Sequence, residues 1–253
     1  MRRKLGESYN VPVSTSHQAA AAARLAGLSL PGGVHVGLIP EPVRRLPSAV
    51  ERIDALLEGG VPRGRISEVL GPFSSGKTSL LLALLAATTR RGEVAACVDL
   101  ADALHPASVA HAGADLQRVL WVRPRTLPDG FRCTELLLQA GGFAVVALDL
   151  GVSVSRPWRA PVWSRLLRAA ERSHTACVVL AAHHVAGSST ALGISLRSSA
   201  VRWQRGLWPL FDGFDTTVVV TRNKLGGSEA KSVKLKVESQ SSGLQLAAWS
   251  LEL

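Results

Sequence analysis

Residues 71–78 read Gly71-Pro72-Phe73-Ser74-Ser75-Gly76-Lys77-Thr78, two glycines followed at once by a lysine and a hydroxyl. Each residue type answers a need of phosphate chemistry. The glycines free the backbone to curl, so that successive N–H groups converge on phosphate oxygens. A helix starting at the second glycine aims its positive end at the same oxygens. Lys77 is a cation long enough to reach terminal phosphates, and the Thr78 hydroxyl is a hard oxygen ligand for Mg²⁺. Arg65-Ile66-Ser67-Glu68-Val69-Leu70 reads as a strand leading into the loop, and the residues from Lys77 to Arg90 read as a helix leaving it. In that context Gly71 to Ser79 is expected to hold a nucleotide with Mg²⁺. The competing reading is a glycine-rich turn.

Such a site needs a carboxylate at the end of a neighbouring buried strand. Phe143-Ala144-Val145-Val146-Ala147-Leu148-Asp149 supplies one, an apolar run ending in an acid. Asp149 is expected to hold Mg²⁺ directly or through water, its alternative role being a turn cap.

The elements that must position these groups follow from periodicity. Strands are expected at Glu93–Leu100, Arg118–Arg123, Phe143–Leu150 and Thr175–His183, and helices near Pro106–Ala112, Asp129–Ala140 and Ala160–Arg172. The strands are nearly continuous apolar runs, as required where helices cover both faces of a sheet. Alternating βαβ units give a mostly parallel α/β sheet with right-handed crossovers. Before them, Ser48-Ala49-Val50-Glu51 offers a capping box for a helix to Leu57, stopped at Gly59-Gly60. After them, Ser198–Arg205, Thr216–Arg222, Ser232–Val237 and Leu244–Leu251 read as an antiparallel C-terminal meander. Residues 1–45 read as an N-terminal arm, with an Ala-rich helix at Ser16–Leu28 and a Pro/Gly linker, ahead of a core at 46–253.

Composition narrows the partners. Of 253 residues 47% are hydrophobic, enough for a globular core. Lys plus Arg number 29 against 19 acids, which favours polyanions: nucleic acid first, an acidic membrane or protein surface second. Cys97, Cys133 and Cys177 are odd in number and widely spaced, with no zinc or disulfide pattern, and read as small core residues in a reducing compartment. No apolar core follows Met1-Arg2-Arg3-Lys4, and Leu80–Ala87 is too short to span a bilayer, so a cytoplasmic protein without membrane association is expected.

Several segments together resemble RecA-type P-loop ATPases. Ile53-Asp54-Ala55-Leu56-Leu57-Glu58-Gly59-Gly60-Val61-Pro62-Arg63-Gly64-Arg65-Ile66 is similar to that family's lead-in, and Gly-Pro-x-Ser-Ser-Gly-Lys-Thr is its form of the phosphate loop. Val98-Asp99-Leu100-Ala101-Asp102-Ala103-Leu104-His105-Pro106 resembles its "IDAEHALDP" segment, and Arg222-Asn223-Lys224 its "KNK". The resemblance implies a RecA-like core over residues 48–238, ATP with Mg²⁺ as cofactor, and Arg222 and Lys224 reaching the nucleotide of an adjacent subunit. Departures also count. The family's catalytic glutamate falls on Ala101, leaving Asp102 as a weak substitute. Its adenine-stacking tyrosine falls on Ser108. A polar γ-phosphate sensor is expected after the Thr175 strand, where His183 or His184 stands, or merely caps the strand. A short RecA-like chain with these erosions resembles the ImuA-type accessory proteins of bacterial SOS translesion mutagenesis. That implies work with translesion polymerase components or RecA in damage tolerance, possible self-association, and weak or absent hydrolysis. The rivals are an active strand-exchange recombinase and a non-enzymatic interaction module.

Between Gly151 and Leu210 the arginines greatly outnumber the one acid, Glu171, and Trp158, Trp163, Trp203 and Trp208 lie among them. By the resemblance, Val152–Pro161 and Val185–Leu196 are the DNA-facing loops. Arg156, Trp158, Arg159 and Arg197 are the candidates for contacting DNA, single-stranded in preference, with Arg neutralising phosphate and Trp stacking on unpaired bases. Trp163, Leu166 and Leu167 are expected to form an ordinary helix core face instead.

Overall fold

The computed structural model describes residues 43–151, 160–204, 210–225, 231–240 and 245–246. Most of the expected arm, the whole Ser16–Leu28 helix, Arg156, Trp158 and Arg159, and most of Leu244–Leu251 lie outside them.

Arg45–Leu46 (β1) and Val61–Pro62 (β2) form a small antiparallel pair around the helix Glu51–Leu56 (α1). The expected capping box is replaced by a reversed arrangement. Val50 is the N-cap and makes no side-chain cap bond. Asp54, not Glu51, reaches back: its carboxylate accepts from the Ser48 N–H at 2.8 Å, the Ser48 hydroxyl at 2.8 Å and the Ala49 N–H at 3.0 Å. Ala49 has a positive φ of 60°, so the chain turns too sharply before the helix for Ser48 to serve as N-cap itself.

The phosphate-loop strand Ile66–Leu70 (β3) feeds the helix Lys77–Arg90 (α2), then Val94–Asp99 (β4), Pro106–His111 (α3), Val119–Val122 (β5), Leu127–Ala140 (α4), Phe143–Asp149 (β6), Ala160–Ser173 (α5) and Ala176–Ala181 (β7). Thr190–Gln204 (β8), Leu210–Asn223 (β9), Ser232–Gln240 (β10) and Gln245–Leu246 (β11) follow. Among the described residues the main sheet has the order β11-β10-β9-β8-β3-β7-β6-β4-β5. β8, β3, β7, β6, β4 and β5 run parallel, and β8 to β11 pair antiparallel. Every residue of β3 and β7 is buried, which explains their unbroken apolar character. One core lies under α1, α2 and α3, and the other under α4 and α5.

The C-terminal expectations need one correction. The segment Val185–Leu196 is not a long loop. From Thr190 it is strand β8, parallel to β3, and only residues 182–189 connect it to β7. Small residues such as Ala191, Gly193 and Ser195 read as flexible in isolation. Here Gly193 allows close packing against the neighbouring strand β9: a Cβ on it would lie 2.8 Å from Thr221 Oγ1. β8 continues well beyond β3, so its outer half pairs with β9 alone, and the tip of this β8–β9 ribbon extends past the pairing of β9 with β10, which runs from Val219 to Gly213.

Candidate nucleotide site

β3 delivers the chain to the C-terminal edge of the sheet, between β7 and β8, where neighbouring connections diverge and open a crevice. Gly71 cannot carry a side chain there: a Cβ would lie 2.5 Å from Leu196 O and 2.6 Å from Ser75 Oγ. Gly76, with φ of 97°, is the left-handed N-cap of α2 and supplies no side-chain acceptor. The first N–H groups of α2 therefore have no partner within the helix and face the crevice. Ser75 Oγ is buried with no hydrogen-bond partner among the described residues. Glycine-shaped backbone, free amides and an orphaned hydroxyl fit a bound polyphosphate.

Lys77 Nζ donates to Gly71 O at 2.5 Å and to Ala181 O at 3.1 Å, which holds the ammonium at the crevice floor. Burial lowers its pKa against the opposing pull of Asp149. Asp149, at the end of β6, is pushed the other way: burial raises its pKa, against a Gly151 N–H donating to Oδ1 at 2.9 Å and the nearby Lys77. Thr78 and Asp149 line one cavity of about 390 Å³ together with Pro72, Phe73, Ser74, Ser75, Gly76, Lys77 and Ser79. The predicted cofactor residues are thus brought together. Among the described residues no three His, Cys, Asp or Glu side chains cluster as a metal site. A Mg²⁺ held by one hydroxyl, one carboxylate and phosphate oxygens needs no such cluster.

At the end of β4 the described wall of the cavity is apolar. Ala101 and Ala103 line it; Asp102 does not. Asp102 has φ of 52° and meets Arg123 in a two-point ion pair, at 2.5 Å to Nε and 2.7 Å to Nη2, which lowers its pKa. The Arg123 guanidinium also lies 5.0 Å from the Trp121 ring centroid. The neighbouring Asp99 is buried and accepts from the N–H groups of Ala103 and Leu104 and from Trp121 Nε1, so it shapes the turn that presents Ala101.

On the β7 side, His183 is exposed two residues beyond Ala181. His184 is tied down: its Nδ1 lies 2.9 Å from Glu68 Oε2. Glu68, in the middle of β3, also accepts from the N–H groups of Val185 and Ala186 and from the Thr190 hydroxyl, each at 2.8 Å. Sequence reading missed this carboxylate, although one charged residue in an apolar strand is a usable signal. Arg222 and Lys224 sit at the end of β9, where their side chains donate to Gly187 O and Ser188 O. Within this chain both hold the 187–189 turn. Arg197 is exposed on β8, paired with Thr217.

Residues 41–157 match the RecA N-terminal domain family. Protein RecA from Lactobacillus delbrueckii subsp. bulgaricus is 36% identical over 108 residues, 42% of this chain and 33% of that protein. Protein RecA from Thermus aquaticus is 41% identical over 95 residues, 38% of this chain and 28% of its own length. The chain thus spans about a third or less of the curated relatives it matches. The crystal structure of the RadB recombinase superposes with a TM-score of 0.59 at 20% identity, covering 76% of this chain and 95% of that one, which establishes the shared fold.

Proposed function

From a chain that is RecA-like over residues 41–157, we propose an ATP- and DNA-binding accessory protein of DNA damage tolerance, of the ImuA type, that holds Mg·ATP and hydrolyses it slowly or not at all. The observation carrying this reading is a complete phosphate cradle whose opposite wall offers two alanines, Ala101 and Ala103, where a water-activating carboxylate is needed. The Arg123 pair keeps Asp102 from taking that role.

In this reading the α2 amides and Lys77 bind the triphosphate, and Thr78 with Asp149 holds Mg²⁺, whose charge neutralises the phosphates. Asp149 orients that ion through the same carboxylate that Gly151 fixes. Arg197 and the arginines at 156 and 159, with Trp158, supply DNA contacts on a chain of net charge +10. Translesion polymerase components or RecA are the protein partners.

Equilibrium binding of labelled ATP, paired with a hydrolysis assay with and without single-stranded DNA, tests the proposal. Tight binding, abolished by Lys77→Ala, with little turnover is the expected result. Brisk DNA-stimulated turnover would instead identify a recombinase, and absent binding an interaction module.

A further inference from the structure

Four exposed large apolar side chains gather at one place: Phe73 on the phosphate loop and Val201, Trp203 and Phe211 on the β8–β9 ribbon. Phe73 is 75% exposed and Val201 55%. Clustered exposure of this kind marks a surface that something covers.

The ribbon is built to face the phosphate loop. In a regular strand, residues three apart point to opposite faces. Ser198 and Val201 nevertheless line one cavity, as do Phe211 and Phe214. The register explains this: the pairing skips Ser199 on β8 and Asp212 on β9, and each one-residue bulge inverts the alternation. The ribbon is also fastened to the loop. The Thr216 hydroxyl donates to Ser75 O at 2.8 Å, and the Phe214 ring lies 3.5 Å from where a Cβ would stand on Gly76. Phe211 is braced by Trp203, with ring centroids 5.9 Å apart in an edge-to-face contact.

We propose that this wall, Phe73 with Val201, Phe211 and Phe214, receives the nucleobase of the bound nucleotide, and that it does so without distinguishing one base from another. The inference rests on the nucleotide-binding reading above and deepens it. The occupant follows from continuity, because the wall and the phosphate cradle are two ends of one cavity of about 390 Å³, within the size range of small-ligand sites. The lack of selectivity follows from the lining. Among the described lining residues, Pro72, Phe73, Val201, Phe211 and Phe214 carry no side-chain hydrogen-bonding group, and Ser198 is the one hydroxyl the ribbon contributes. Stacking and burial accept any base face, whereas strong discrimination needs fixed donors and acceptors at the base edge.

Calorimetric titration of the full chain with ATP, GTP and inorganic tripolyphosphate, each with Mg²⁺, tests this. ATP and GTP should bind more tightly than tripolyphosphate and within about tenfold of each other. Phe211→Ala and Val201→Ala should each weaken both nucleotides, Phe211→Ala by about tenfold, while leaving tripolyphosphate unchanged. Matching melting temperatures of the ligand-free variants confirm that they fold. If both variants hold ATP like the parent while Lys77→Ala loses it, the wall is not the base site. A preference for ATP over GTP of a hundredfold or more overturns the lack of selectivity. Retention of ATP by Lys77→Ala removes the underlying nucleotide reading itself, a result separable from the other two.

Discussion

Glu68 shows how one side chain couples the phosphate-loop strand to the region after β7. It is fully buried on β3 and accepts from His184, Val185, Ala186 and Thr190. Burial pushes its pKa up, but those donors outweigh burial and the net shift is downward. A depressed carboxylate contributes stability above its unfolded pKa and loses it as the pH falls through the folded value. The protein should therefore lose stability on acidification below the ordinary glutamate range, and Glu68→Gln should flatten that part of the pH profile, as read by thermal melts. Glu68→Ala, which leaves four donors without their acceptor, should cost about 3 kcal/mol in a denaturant titration. The thiols differ in kind: burial raises Cys177 to about 12 and Cys97 still further, so both behave as inert core residues.

At the scale of elements, α5 separates the two meanings of its composition. Trp163 is 1% exposed and meets Phe131 edge-on, with ring centroids 5.1 Å apart, and Leu166 is buried beside it. Arg165, Arg168 and Arg172 occupy the exposed side, Arg165 in an ion pair with Glu135. This is the core face that period-3.6 reading expects. Trp163→Ala should destabilise by about 3–5 kcal/mol through loss of apolar contact and a cavity. Arg168→Ala should change stability by less than about 0.5 kcal/mol. Urea unfolding of both variants checks the pair. The start of α1 was less legible, because Asp54 reaching back over a positive-φ residue leaves no consensus spacing to read.

For the molecule as a whole, order should be graded across the sheet. β3, β7 and most of β6 are buried on both faces, whereas β8 is exposed from Arg197 onward except at Arg202, which is half-buried. Native-state hydrogen exchange should show amides of 198–204 and 210–214 opening with protection at least about 100-fold below those of β3 and β7. Among the described residues no helix is long and apolar enough to cross a membrane. What sequence alone determined was the strand, glycine loop and helix around Lys77, the strand ending in Asp149 and the βαβ order, because each rests on local spacing or on an apolar run that only a doubly covered strand requires. Tertiary structure decided the rest. Asp102 turns toward Arg123, Glu68 gathers a turn more than a hundred residues away, and bulges at Ser199 and Asp212 bring aromatic side chains over the cradle. These depend on register and long-range pairing, which period and composition do not encode.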